Sequence, residues 1–189
     1  MDDADSGAPG LARLAAAAEA PPGRAGPRDC GHFAIRIDRN GSWFYRGTPI
    51  NRASLMGLFS RVLSRDAAGD YWLITPAERG RITVEDAPFL AVALERRGSA
   101  RDQALIFRTN VGDLVTLDAV HPLRVATDPA NGGPRPYILV RNGLEARVVR
   151  PVFYELVELA GEERVGHTTR FGVWSKGTFF PLDQAMDAA

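Results

Sequence analysis

The chain has 189 residues, enough for one large domain or two small ones with a real core. Its 23 basic and 23 acidic side chains cancel, which excludes a bulk electrostatic pull toward nucleic acid or anionic membrane. The single cysteine, Cys30, excludes an intramolecular disulfide and a cysteine-built zinc site, and it fits a reducing compartment.

The start Met1-Asp2-Asp3 is acidic, and the stretch Leu11 to Ala18 is mostly alanine and interrupted by Arg13. Neither matches a signal peptide, and no apolar run is long enough for a membrane span, so the expectation is a cytoplasmic protein. Residues 1–29 read as a flexible segment: Leu11 to Ala20 can form a short helix, Pro21-Pro22 stops it, and Gly23 to Pro27 reads as a linker.

Phe33, Ile35 and Ile37 alternate with Ala34, Arg36 and Asp38, the period of a half-buried strand. Asn40-Gly41 then predicts a tight two-residue hairpin with positive φ at both residues, returning as Trp43 to Tyr45. Leu55, Leu58, Phe59, Val62 and Leu63 form one helical stripe, with Asn51 as cap and Gly69 as stop. Strands follow at Tyr71 to Thr75, Arg81 to Val84, Phe89 to Glu95 and Ala104 to Thr109.

The pattern then recurs. Short strands at Val115 to Leu117 and Leu123 to Ala126 precede a Pro, Asn and Gly loop over Asp128 to Pro136. Tyr137 to Val140 and Leu144 to Val149 flank a second Arg-Asn-Gly, Arg141 to Gly143, matching Arg39 to Gly41. Pro151 opens a helix whose stripe is Phe153, Leu156, Val157 and Ala160, and Gly161 ends it. Strands at Thr168 to Ser175 and Thr178 to Phe180 turn through Lys176-Gly177. Runs of strands with one main helix per half predict an α+β fold of two tandem, related β-rich halves, each mostly antiparallel, divided as 30–109 and 110–189.

Catalytic motifs are absent: no phosphate loop, metalloprotease helix or nucleophile elbow occurs, and Ser175-Lys176 sits at a turn with side chains pointing apart. The expectation is a non-enzyme without cofactor or metal, since His32, His121 and His167 read as surface or capping residues. The distinctive polar feature is arginine within strands and at helix starts: Arg52, Arg124, Arg141, Arg147 and Arg150. With His121 and the hydrogen-bond donor Tyr154 they sketch an anion site, because guanidinium forks and helix N-termini both favour phosphate and carboxylate. The competing reading pairs these arginines with Glu78, Glu85, Asp86, Asp113, Asp118 or Glu145 across strands. The aromatics, Trp43 to Tyr45, Tyr71, Trp72, Phe171, Trp174, Phe179 and Phe180, are assigned to packing, since base stacking fits poorly with a neutral chain whose only lysine is Lys176.

Several ordered segments together resemble DUF1285, a bacterial family of uncharacterised proteins. They are Asn40 to Trp43 with Gly47 to Ile50 and Arg52, Leu73 to Glu78, Val84 to Phe89, His121 to Arg124, Pro136 to Glu158, and Gly172 to Phe180. The resemblance implies an internal duplication, a pleckstrin-homology-like C-terminal half, and a ligand or partner site at the interface of the halves, with a suggested link to signalling. The family pattern carries a Trp before the cysteine and an acid after Cys-Gly. Here Arg24 to Pro27 lacks the Trp and His32 follows Gly31, so this segment is expected to pack differently.

These readings combine into a binding or regulatory protein that holds a small anionic ligand or peptide between its halves through Arg52, His121, Arg124, Arg141, Arg147, Arg150 and Tyr154. The alternative is a protein-interaction or homodimerisation module with no small-molecule ligand.

Overall fold

The computed structural model describes residues 8–21 and 26–183. It divides into two units, one running to Pro88 together with Asn142–Leu144, the other comprising Phe89–Arg141 and the chain from Glu145 onward. The expected division at 109 and 110 is therefore replaced by one at 88 and 89. Phe89 to Thr109, read from sequence as the end of one meander, pairs with later strands instead.

The first unit begins with α1 (Ala8–Glu19), which packs on α2 (Ala53–Arg61) and buries Leu14. The short helix expected there is present, whereas the expected linker at 23–27 lies largely outside the described residues. Six strands follow: β1 (Arg28–Ile37), β2 (Trp43–Tyr45), β3 (Thr48–Pro49), β4 (Leu63–Arg65), β5 (Tyr71–Ile74) and β6 (Glu78–Val84). Their order is β3-β2-β1-β6-β5-β4. One face buries Ile35, Ile37, Trp43, Leu73 and Ile82, and the Trp43 ring stacks 6.3 Å from Phe59 of α2.

Two local expectations are corrected here. The helical stripe ends at Val62 rather than running toward Gly69, because Leu63 enters β4 and pairs in register with Leu73. Gly69, at φ +90, closes the β4–β5 turn. The Asn40-Gly41 hairpin is also not a two-residue turn with two positive φ angles, since only Gly41 is positive, at 74°. Gly41 N donates to Asp38 O at 3.0 Å, while Asp38 Oδ1 accepts from Asn40 N and Ser42 N, each at 2.9 Å. That is a three-residue loop closed by a glycine bulge, built by aspartate.

The second unit contains β7 (Phe89–Arg97), a 3-10 turn (Ala100–Asp102), β8 (Ala104–Thr109), β9 (Leu114–Thr116), β10 (Leu123–Thr127), β11 (Pro134–Arg141) and β12 (Leu144–Val148). Their order is β10-β11-β12-β7-β8-β9. After α3 (Arg150–Glu158), the strands β13 (Gly161–Val165), β14 (Thr168–Ser175) and β15 (Thr178–Pro181) form a separate antiparallel sheet. The buried stripe of α3 runs through Val152 and Leu156, with Phe153 and Val157 half-buried at its flanks.

Both six-stranded sheets consist of two three-stranded antiparallel meanders whose inner strands run parallel, β1 beside β6 and β12 beside β7. Numbering each sheet from its own first strand gives the same order. The mostly antiparallel α+β architecture is therefore seen in both. The Arg-Asn-Gly repeat, however, is out of phase with this order: Asn40-Gly41 joins the first and second strands of its sheet, Asn142-Gly143 the fifth and sixth. The second turn does have two residues, with φ 45 at Asn142 and 76 at Gly143.

Candidate functional site

The six second-unit candidates divide into paired and unpaired groups. On β10, Arg124 donates from Nε and Nη2 to both oxygens of Glu145, each at 2.6 Å, and its guanidinium lies 4.2 Å from the Tyr137 ring centroid. Arg141 pairs with Asp113 and lies 5.1 Å from the Phe89 ring. These two arginines thus take partners that the salt-bridge reading named. His121 is held by a turn in which Asp118 Oδ1 accepts from the backbone N–H groups of Val120 and His121 at 2.9 and 2.8 Å. Its Nδ1 lies 3.1 Å from Leu139 O, within hydrogen-bond reach. Arg147 is half-buried on β12, opposite Leu90.

Arg150 is different. It is the first residue of α3, exposed, and its side chain makes no hydrogen bond or ion pair among the described residues. Val149, the N-cap, supplies no side-chain acceptor to the first turn. Tyr154, 57% exposed, lies four residues on and therefore on the same side of the helix. In the first unit, Arg52 is the exposed N-cap of α2, also without a side-chain cap. Asn51, the cap expected from sequence, is not used there. Among the seven candidates, then, Arg150 and Tyr154 are the pair that stands exposed one turn apart on the same side of one helix.

Ser175 is shown to be a structural residue. It is fully buried, its Oγ donates to Leu117 O at 2.7 Å, and it accepts from Leu105 N at 3.1 Å. Lys176 and Gly177, with φ 51 and 73, form the adjacent turn and donate their N–H groups to Gln103 O and Arg101 O. Gln103 Nε2 returns a bond to Trp174 O at 2.8 Å. These bonds attach β14 to the first strands of its unit, and they occupy the hydroxyl that a nucleophile would need free.

Sequence reasoning missed a polar–aromatic ladder on the outward face of the first sheet. Arg36 lies 4.2 Å from the Phe44 ring, its cross-strand partner, and Arg81 lies 5.0 Å from the ring of its own partner, Trp72. Arg79 lies 5.6 Å from the same indole, whose Nε1 donates to Asp66 Oδ2 at 2.8 Å. Every arginine of the ladder has a carboxylate: Arg36 with Glu85, Arg79 with Asp29, Arg81 with Asp70. The Trp72 N–H bond is the main reason that Asp66 stays below the usual aspartate pKa. The Gly31 N–H, followed by Arg79, does the same for Asp29. The two-residue period of Arg79, Arg81 and Thr83 is visible in sequence, but its alignment with Trp72 and Arg36 requires the strand register. The aromatics assigned to packing therefore split: Trp43 and Phe180 are buried, while Phe44 and Trp72 stand half-exposed on this face.

No helix among the described residues is long and apolar enough to cross a membrane. No curated protein matches the chain. Two solved structures are similar to it. A DUF1285 family protein from Silicibacter pomeroyi DSS-3 is 42% identical with a TM-score of 0.83, covering 93% of this chain and 95% of its own. A DUF1285 family protein from Shewanella baltica OS155 is 29% identical with a TM-score of 0.54, covering 67% of this chain and 91% of its own. Residues 21–87 match the DUF1285 N-terminal domain, a domain of unknown function. Residues 88–182 match the C-terminal domain of the same protein of unknown function, so the two matches meet where the structure divides. With both domains matched in order across most of its length, the chain is a member of the DUF1285 family.

Proposed function

We propose that this protein is a non-enzymatic, cytoplasmic binding or regulatory module for a small anionic ligand or an acidic peptide, acting in signalling. The observation that carries the reading is Arg150, a guanidinium left without a carboxylate at an uncapped helix start, with the Tyr154 hydroxyl one turn away. Fixed N–H groups, a free guanidinium fork and a hydroxyl donor are complementary to phosphate or carboxylate. Arg124 and Arg141 are already engaged with Glu145 and Asp113, so neither carries the reading.

The test is a thermal-shift screen of the full chain against inorganic phosphate, nucleotides and small di- and tricarboxylates. A ligand at roughly a hundred times its Kd stabilises the native state by about 2.7 kcal/mol, which a melting curve resolves easily. The expected result is a rise in Tm for at least one polyanion that disappears in Arg150→Ala. A screen without any shift, or a shift that survives Arg150→Ala unchanged, contradicts the reading.

The second reading, an interaction or homodimerisation module without a small-molecule ligand, is favoured by the exposed aromatic and arginine ladder of the first sheet.

A further inference from the structure

The chain carries Asn-Gly three times, at Asn40-Gly41, Asn131-Gly132 and Asn142-Gly143. This dipeptide has a chemistry of its own. Glycine has no side chain to shield its amide nitrogen, so that nitrogen can attack the side-chain carbonyl carbon of the asparagine before it. Which copy reacts in the folded protein depends on what each turn does with the attacking N–H and with the asparagine amide.

Two copies are held. Gly41 is buried and its N–H donates to Asp38 O at 3.0 Å, while the N–H of Asn40 itself donates to Asp38 Oδ1 at 2.9 Å. Gly132 N donates to Asp128 O at 2.8 Å, and Asn131 Oδ1 accepts from Gly133 N at 2.9 Å, which fixes the side chain as well. A nitrogen whose proton is bound by a carbonyl is a poor nucleophile, and ring closure must first break that bond.

The third copy has neither restraint. Asn142 and Gly143 are both exposed, and among the described residues the Gly143 N–H has no acceptor and the Asn142 amide no partner. Asn142 is also held at φ 45, a left-handed conformation that costs an L-residue energy and that rotation out of the turn relieves. The two-residue turn thus leaves open the nitrogen that the aspartate-built loops at Asn40 and Asn131 occupy.

We propose that Asn142 is a modification site, at which the chain converts its own asparagine to aspartate or isoaspartate while Asn40 and Asn131 persist. The Gly143 nitrogen gives up its proton and bonds to Asn142 Cγ. The Cγ–Nδ2 bond breaks, and the amide nitrogen takes up a proton and leaves as ammonia. Water then opens either carbonyl of the resulting five-membered imide. Both products place a negative charge directly after Arg141, and the isoaspartyl form adds a carbon to the backbone of a turn whose length sets the β11–β12 register.

The full chain is incubated folded at mildly alkaline pH and, in parallel, in denaturing urea. Peptide mass spectrometry follows each asparagine, with digestion in heavy-oxygen water to mark amides lost during handling. In the folded chain Asn142 is expected to convert at least about fivefold faster than Asn40 or Asn131, the factor that one retained hydrogen bond supplies. In urea the three rates should converge to within about twofold, because the turns that distinguish them are gone. Conversion of Asn40 or Asn131 as fast as Asn142 in the folded chain overturns the proposal. So does an Asn142 that stays intact in the folded chain while all three convert in urea, or a lead for Asn142 of the same size in urea.

Discussion

The arginines of the first sheet and the arginine at the start of α3 have the same chemistry and stand in opposite electrostatic situations. Arg36, Arg79 and Arg81 each rest against a ring and a carboxylate, so their face is close to neutral although it is rich in cations. Arg150 has neither ring nor carboxylate partner and lies where uncapped N–H groups add positive potential. Cation density therefore does not locate an anion site. What matters is the charge left over after each guanidinium has met its neighbours, which separates a face suited to protein from a point suited to an anion.

One glycine in each unit sits where an added side chain would meet a close neighbour, and the two neighbours differ in kind. A Cβ at Gly172 would lie 2.3 Å from the backbone oxygen of Phe180, which cannot move without breaking the β14–β15 ladder. Gly172→Ala is expected to cost about 3 kcal/mol or more in urea unfolding. At Gly80 the obstacle is the half-buried Phe33 ring, with Cδ2 at 2.8 Å and Cγ at 2.9 Å, which clears only if the whole side chain swings about χ1, so Gly80→Ala should cost less, about 2 kcal/mol. Equal costs would mean that the Phe33 side chain yields no more readily than the Phe180 backbone.

Ser175→Ala comes next. It strands the Leu105 N–H and the Leu117 carbonyl in the core of the second unit, at an expected cost of about 2 kcal/mol by the same measurement. The two Asn-Gly turns give a smaller contrast. Asn142→Ala should cost about 1 kcal/mol because the residue is held at φ 45, whereas Asn40→Ala should fall within about 0.5 kcal/mol. Asp38→Ala removes the acceptor that builds the first turn and should cost about 1 kcal/mol.

The smallest effect is one of pH. Asp29 and Asp66 both have folded pKa values below the ordinary aspartate value of about 3.9. Their contribution is fully present above that value and is lost as pH falls through the lower folded values. Acid titration followed by tryptophan fluorescence should show a first-unit change below about pH 4, diminished in Asp66→Asn.

Much of the fold was legible because turn residues bound the strands of the second half, and β12 alternates cleanly in burial; Thr168 to Ser175, set off by the Lys176-Gly177 turn, was read from sequence with the bounds of β14. The failures have physical causes. Leu63 continues the helical spacing of Leu55 and Phe59, so nothing local reveals that pairing with Leu73 ends the helix. β13 is Gly-Glu-Glu-Arg-Val, too polar and exposed to show a strand period. The same dipeptide gave different turns because Asp38 stands two residues before Asn40 and offers a carboxylate, whereas Val140 offers none at the corresponding place. Of the site, residue types and the Glu145 and Asp113 partners were foreseeable. The ladder around Trp72 was not, since it depends on register between strands far apart in sequence.

The most direct test of the contrast between a neutralised face and an uncompensated helix start is a two-dimensional amide NMR titration of the full chain with inorganic phosphate and citrate. Shifts concentrated at Arg150, Val152 and Tyr154, with Trp72 and Arg81 unmoved, are the expected result. Shifts confined to the first sheet, or none at millimolar anion, would contradict it.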